Sequence, residues 1–178
     1  MSFLNTEEHY QLFEAWYSRE VSRIFNYIAY RVGNRQTAQD LTAAACEQAL
    51  RHLDKYDPSR SSVNTWMFVI ARDVLRKHYR REAREPSPIP LENLPPVVNR
   101  EDLPETQAEH ADQFRQVIAH MGQLTEDEQT AVALRFGAEL TYKEIAGVMD
   151  CDANRVGVLL HRGLKKLQQA LSEEKKDG

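Results

Sequence analysis

Cysteine is scarce in this chain of 178 residues, with only Cys46 and Cys151 present. They lie far apart, share no metal-ligand spacing and sit among apolar helical positions, so they read as buried, inert thiols rather than redox centres. The six histidines, His9, His52, His78, His110, His120 and His161, form no metal-ligand or triad-like constellation. A glycine loop for phosphate is missing as well. Together these absences predict a chain with no metal site, no cofactor and no enzymatic activity. No apolar run approaches the ~18 residues that a membrane-spanning helix needs, and the opening MSFLNTEEHY is too polar and acidic for a secretion signal. A cytoplasmic protein is expected. The formal charge of −4 argues against a protein that coats nucleic acid indiscriminately.

What the chain does have is uneven charge. Between Arg72 and Arg84 six basic residues stand against two acids, whereas Glu92 to Glu109 holds five acids against Arg100 alone. Proline is equally localised: six of the seven fall in 86–107, PSPIPLENLPPVVNREDLPETQ. Such a stretch is extended and semi-rigid, and its acids resist collapse onto the basic segment or imitate a nucleic-acid strand in a basic channel. It predicts a linker between two helical domains, at 1–85 and 108–172, with a disordered tail over 173–178.

In the first domain Phe13, Trp16, Tyr17, Ile24, Phe25 and Ile28 recur at helical spacing until Gly33-Asn34, a good C-terminal stop. One amphipathic helix from about Glu7 to Val32, or two parted near Ser18, is expected. A second helix runs from about Gln36 to Leu53 over Ala38, Leu41, Ala45, Ala49 and Leu53, whose small side chains allow close packing. KYDPSRSSVNTW then makes a loop of about ten residues, a length that is often functional between packed helices. The third helix, from Asn64 or Thr65 to about Glu85, buries Trp66, Met67, Ile70, Val74 and Leu75 and sets Arg72, Arg76 and Arg80 in a stripe on the other side. Past Arg76, Lys77, His78, Tyr79, Arg80, Arg81 and Arg84 surround the helix. Its last two turns should project into solvent or against a polyanion, with aromatic rings able to stack on exposed bases.

In the second domain Phe114, Val117, Ile118 and Met121 mark a helix ending at Gly122. Thr125, with Glu128 three residues on, opens another that carries Ala131, Val132, Leu134 and Phe136 before Gly137. Thr141 with Glu144 opens a third over Ile145, small Ala146 and Met149, a break follows at Asp150-Cys151, and Asp152 caps a fourth. In that fourth helix Val156, Leu159, Leu160, Gly163 and Leu167 share a packing face. The opposite arc, Asn154, Arg155, Val158, His161, Arg162 and Lys165, offers amide, guanidinium, methyl and ammonium groups suited to base edges, thymine methyls and phosphates in a major groove. This is the pattern of a helix-turn-helix. An ordinary antiparallel helix pair with a solvated basic face is the alternative reading.

Three helices, a loop before an aromatic-rich third helix, a Pro-rich acidic linker and a helix-turn-helix domain, in that order, resemble the extracytoplasmic-function (ECF) sigma factors, the smallest bacterial sigma factors. The likeness spans roughly Tyr10 to Leu171. Ala38-Gln39-Asp40-Leu41 resembles the start of the family's region 2.2 signature, WMFVIARDVLRKHYRR from Trp66 to Arg81 resembles its region 2.3 to 2.4 helix, and Gln123 to Leu167 resembles its region 4. The resemblance implies an all-α fold with a three-helix region 2 and a four-helix region 4, acting as a promoter-specificity subunit of RNA polymerase and monomeric when free. The implied partners are core polymerase, through its β′ clamp helices and β flap, promoter DNA, and an anti-sigma factor of the kind that wedges between the two domains in many relatives. By the same resemblance, Asp40, Leu41 and Glu47 would meet the clamp. Ser59, Arg60, Ser61, Asn64 and Trp66 would hold a flipped base of the minus-ten element, and Arg72, Asp73, Arg76, Lys77, Tyr79 and Arg80 would line the melting point. A pocket-forming loop suits that task, since it offsets an unpairing cost on the order of a few kcal/mol. The linker would thread toward the active-site channel, while Asn154, Arg155, Val158, His161, Arg162, Lys165 and Lys166 would read the minus-thirty-five element.

Three departures from the family pattern stand out. Around Asp40 the chain has Gln39, Thr42, Ala43 and Ala44 where relatives carry further acidic or glutamine positions, which leaves Asp40 and Glu47 as the only acids of the helix, weakens the expected clamp contact and makes Thr42 a candidate phosphorylation site that would restore the charge. Asp73 stands where many relatives have Asn. Gly157 and Leu159 replace more polar residues, which predicts weaker, less salt-sensitive DNA binding by the isolated domain. Two rivals follow: a sigma-like protein that binds polymerase or a regulator without promoter selectivity, and a conventional helix-turn-helix repressor or activator, for which no dimerisation seam is visible.

Overall fold

The computed structural model describes residues 6–84 and 115–177, and no strand occurs among them. The linker expected at 86–107, with His110 and Phe114, lies outside the described residues. Helix α1 spans Thr6–Val32 without a break at Ser18, whose hydroxyl donates to the Glu14 carbonyl and leaves the helix intact. Gly33 ends it with φ at 63°, a left-handed conformation that glycine adopts without strain. Asn34 then caps α2 (Arg35–Arg51) by accepting from the Thr37 N–H at 2.9 Å. A single 3-10 turn, Leu53–Lys55, leads into the loop, and α3 follows over Val63–Arg84. Ile24, Tyr27 and Ile28 of α1, Ala38, Ala45 and Ala49 of α2, and Met67, Phe68 and Leu75 of α3 are fully or almost fully buried together. The alanines of α2 let α1 and α3 approach closely.

The second domain begins with α4, residues 115–120, and a 3-10 turn over Met121–Gln123. Both capping boxes form: Thr125 opens α5 (Glu126–Val132) and Thr141 opens α6 (Tyr142–Met149), each hydroxyl accepting from the N–H three residues on while the glutamate there reaches back. Helix α5 widens into a π turn over Ala133–Gly137, and Glu139 then takes φ 56°. Asp150, at φ 54°, stops α6, and Asp152 caps α7 (Ala153–Asp177) by accepting from the Arg155 N–H at 2.8 Å. The tail expected to be disordered from 173 is helical through Asp177, because nothing in SEEKKD interrupts a helix already nucleated by the packed turns before it.

The two domains meet. The π turn of the second domain packs along α1, and α6 packs on α3. Gly137 sits so close to α1 that a Cβ there would fall 2.8 Å from Tyr30 Cδ2 and 3.0 Å from the Asn26 carbonyl oxygen.

Candidate nucleic-acid interface

The helix-turn-helix reading of the sequence matches the geometry. Val156, Leu159, Leu160 and Leu167 of α7 are buried against Ile145 and Val148 of α6 and the α5 core. Gly163 lets α7 lie against α5, since a Cβ there would stand 3.1 Å from Val132 Cγ2. On the outward arc Asn154, Arg155, Val158, His161, Arg162 and Lys165 are all exposed, Val158 by 47%. Arg155 reaches Asp127 at 3.2 Å, but both side chains are about half exposed, so water and salt weaken the pair and leave the guanidinium free to exchange partners.

Lys166 departs from the expectation. It turns inward and donates to the Glu128 carboxylate at 2.7 Å, whose side chain is only 5% exposed. Burial opposes ionisation of Glu128, but the Lys166 ammonium and the Thr125 N–H outweigh it and hold the carboxyl below its ordinary value of 4.5. Lys166, half-exposed, is therefore tied in this structure to the glutamate of a capping box.

The loop before α3 is internally tied. Asp57 accepts from the Ser59 N–H at 2.9 Å and its hydroxyl at 2.7 Å, bonds that hold the exposed Asp57 carboxyl below its usual range. Tyr56 donates from its hydroxyl to the Ser61 carbonyl at 3.1 Å and stacks at an angle on Trp66, ring centres 5.1 Å apart. Trp16 donates to Asn64 at 3.3 Å. Ser59 and Arg60 are exposed at the tip, with Ser61, Asn64 and Trp66 half-buried behind them. An aromatic floor under a short polar rim is a suitable receptacle for one unstacked base.

Along α3 the stripe divides. Lys77 and Arg80 are exposed and Asp73 is half-buried, whereas Arg72 and Arg76 turn toward the second domain. Arg72 donates from Nη1 to the Val148 carbonyl at 2.6 Å, and Arg76 Nε pairs with Glu126 at 3.1 Å. Tyr79 is not the open stacking ring that the sequence suggests. Its hydroxyl donates to the Arg31 carbonyl at 2.6 Å, the Arg31 guanidinium lies over its ring, and burial raises its phenol despite that neighbouring cation. His78 likewise leans on Glu82 at 3.4 Å.

On α2 Asp40 is exposed and accepts from Gln36 at 3.0 Å, Leu41 is half-buried and Glu47 is exposed beside Arg51. Thr42 does not suit modification: it is 8% exposed and its hydroxyl donates to the Ala38 carbonyl at 2.7 Å, which denies a kinase access. Cys46 is buried and its thiol is pushed up by burial; Cys151, half-buried, is pushed up by burial and then by Asp152. Neither favours a thiolate. Among the described residues no cluster of three metal-ligating side chains occurs, and no helix is long and apolar enough to cross a membrane.

What sequence reasoning missed lies on α1. Arg23 donates from Nε to the Ala138 carbonyl at 2.7 Å and from Nη2 to the Glu139 carbonyl at 3.4 Å, and Arg31 donates to Thr130 Oγ1 at 2.7 Å. Two arginines on an amphipathic helix give no sequence signal that separates them from solvated charge.

Two family models match the chain, sigma-70 region 2 over residues 16–85 and sigma-70 region 4 over residues 114–167. The RNA polymerase sigma factor YlaC of Bacillus subtilis (strain 168) is 25% identical over 170 residues, which covers 96% of this chain and 98% of that one. The ECF RNA polymerase sigma factor RpoE of Cereibacter sphaeroides is 30% identical over 146 residues, 77% of this chain and 71% of its own. Among solved structures, the sigma factor RpoE in complex with the anti-sigma factor NepR from Bartonella quintana has the same fold, with a TM-score of 0.68 at 16% identity over 90% of this chain and 96% of that one. With both sigma-70 regions present in order, the chain belongs to the ECF sigma factors, the subunits that give RNA polymerase its promoter recognition and DNA melting in transcription initiation.

Proposed function

We propose a division of labour between the two regions of this sigma factor. The exposed arc of α7, Asn154, Arg155, Val158, His161, Arg162 and Lys165, reads the minus-thirty-five element in the major groove, and it is the observation that carries the reading: six outward residues suited to bases and phosphates, with no acid among them. The loop from Asp57 to Asn64, with Trp66 beneath it, takes a flipped minus-ten base. The α3 stripe of Arg72, Asp73, Arg76, Lys77, Tyr79 and Arg80 flanks the melting point, with Tyr79 acting by fixing Arg31 rather than by stacking. Asp40, Leu41 and Glu47 meet the polymerase clamp with less negative charge than is usual in the family. The chain supplies no catalytic chemistry of its own, since polymerase performs the reaction, and it works in the cytoplasm.

An apolar groove of about 510 Å³, lined by Tyr30, Val117, Phe136, Leu164, Leu167 and Leu171, suits an amphipathic helix from the polymerase β flap or from an anti-sigma factor. Solved relatives of the same fold are complexes with anti-sigma factors. The deciding experiment is run-off transcription by bacterial core polymerase on a promoter library, with and without this chain. Initiation from a restricted set is expected. Binding to core without promoter choice would move the protein to the rival reading, a sigma-like interaction protein, which the inward turn of Arg72 and Arg76 favours.

A further inference from the structure

Two side chains of α1 reach the loop before α3 from 47 and 48 positions away. His9, 7% exposed, places Nε2 3.3 Å from the Tyr56 carbonyl and sets its ring edge-on to that of Tyr56. Trp16, 2% exposed, donates from its indole N–H to Oδ1 of Asn64 at 3.3 Å. The first contact holds the aromatic floor of the receptacle, and the second holds its rim. Asn64 stands in the first turn of α3, where the Ser62 hydroxyl accepts from the Thr65 N–H at 3.1 Å and fixes the backbone. The Trp16 bond has a direction. An indole N–H donates and does not accept, whereas an Asn amide carries an acceptor at one end and a donor at the other. With the amide turned over, two donors would face each other and the buried Trp16 N–H would lose its partner.

The other end of the amide is uncommitted. Among the described residues the Asn64 NH2 makes no hydrogen bond, and the buried side-chain N and O atoms without a partner there are Tyr27 OH, Arg31 Nε and Arg72 Nε, so the Asn64 NH2 is open to solvent. The hydroxyls of Tyr56, Ser59 and Ser62 are by contrast spent within the loop, on the Ser61 carbonyl, Asp57 and Thr65. We propose that Trp16 is a positioning residue for minus-ten recognition. By orienting the Asn64 amide it makes Asn64 a hydrogen-bond donor to the flipped base, and so biases the receptacle toward a base with an exocyclic oxo group, thymine or guanine. An oxo group accepts from the NH2, whereas the exocyclic amino group of cytosine or adenine sets donor against donor. Trp16 is buried and acts only through Asn64. The inference rests on the assignment of the loop to a flipped minus-ten base given above.

The test uses holoenzyme assembled from bacterial core polymerase and the full-length chain, with fluorescein-labelled single-stranded oligonucleotides of the selected minus-ten sequence, each position varied through the four bases. Anisotropy reads the affinities, and Asn64→Ala identifies the position at which Asn64 discriminates. If Asn64→Ala alters discrimination at no position, the assignment of the loop to a flipped base falls, and this inference with it. At the position found, the wild-type chain should favour oxo over amino bases about tenfold, the size of one hydrogen bond made in competition with water, and Trp16→Phe should reduce the ratio to about threefold or less. Asn64→Asp should reverse the preference, since its outward oxygen accepts from an amino group. Adding Trp16→Phe to Asn64→Asp should leave that reversed ratio unchanged, because a carboxylate presents an oxygen whichever way it turns. Circular dichroism and core affinity serve as controls. Should Trp16→Phe fail to fold, a benzothienyl analogue at position 16, isosteric with indole and lacking the N–H, takes its place. Equal loss of selectivity in the Asn64 and Asn64→Asp backgrounds, or no loss in the Asn64 background, refutes the positioning role of Trp16. A wild-type preference for amino bases at that position refutes the donor assignment of Asn64.

Discussion

Helices α3 and α7 both carry basic residues at three- and four-residue spacing beside a buried face, yet they are not equally available. On α7 every residue of the outward arc is exposed, whereas on α3 Arg72 and Arg76 are half-buried under the second domain. The difference teaches that a basic stripe reports a capacity for anions without saying which anion occupies it. Oxygens from the same chain compete with phosphates for identical guanidinium geometry.

The comparison breaks most visibly on α7. Arg155→Glu with Arg162→Glu should cut binding to a selected minus-thirty-five duplex by about 100-fold or more, because each good side-chain contact to a base contributes about 1–3 kcal/mol. An electrophoretic mobility titration checks it; retained affinity would mean that the open arc is merely solvated. Lys166→Ala, one turn from that arc, should instead leave the duplex affinity and its salt slope unchanged. Its cost appears in stability, about 1 kcal/mol by urea unfolding, as the buried Glu128 carboxylate loses a half-exposed cationic partner that solvent already screens in part.

Acid sharpens the same contrast. The carboxyls of Glu128 and Glu144 are each opposed by burial but held below 4.5 by stronger bonds, to Lys166 and the Thr125 N–H in one case and to Thr141 in the other. A depressed folded-state value means that their contribution is present above pH 4.5 and is lost as the pH falls through the folded values. Each capping box contributes about 0.5–2 kcal/mol, so thermal unfolding of Glu128→Gln and Glu144→Gln should lose much of its acid dependence below pH 4.5.

Behind the α3 stripe the smallest effect is expected. Tyr27 is fully buried with a hydroxyl that has no partner, and burial raises its phenol to about 12 against the pull of Arg31 and Arg72. Tyr27→Phe should change stability at pH 7 by no more than about 1 kcal/mol, in the stabilising direction, since it removes an unsatisfied group. In the unsubstituted chain the contribution of Tyr27 is intact below pH 10 and lost as the pH rises toward 12. Tyr27→Phe should flatten that alkaline limb in thermal melts.

Much of the fold was legible because its signals are local. The capping boxes at Thr125 and Thr141, the Asp152 cap and the stop at Gly33 depend on residues three or four apart, and each forms as read. The fates of Lys166, Tyr79 and Thr42 were not legible, because each depends on which way a helix is rotated in the assembled domain. Thr42 falls among exposed-looking alanines yet faces the core, and Lys166 lies next to Lys165 but points to Glu128.

The sequence by itself determined the helices, their caps, the apolar faces that make each domain and the chemistry of the recognition arc, since these follow from period, propensity and short-range hydrogen bonding. Only the tertiary structure decided that Gly137 lies against α1 and that Arg23, Arg31, Arg72 and Arg76 each donate to an oxygen of the second domain. The physical reason is distance along the chain. These bonds join residues from 50 to 116 positions apart, and no local pattern encodes which distant oxygen a guanidinium will meet.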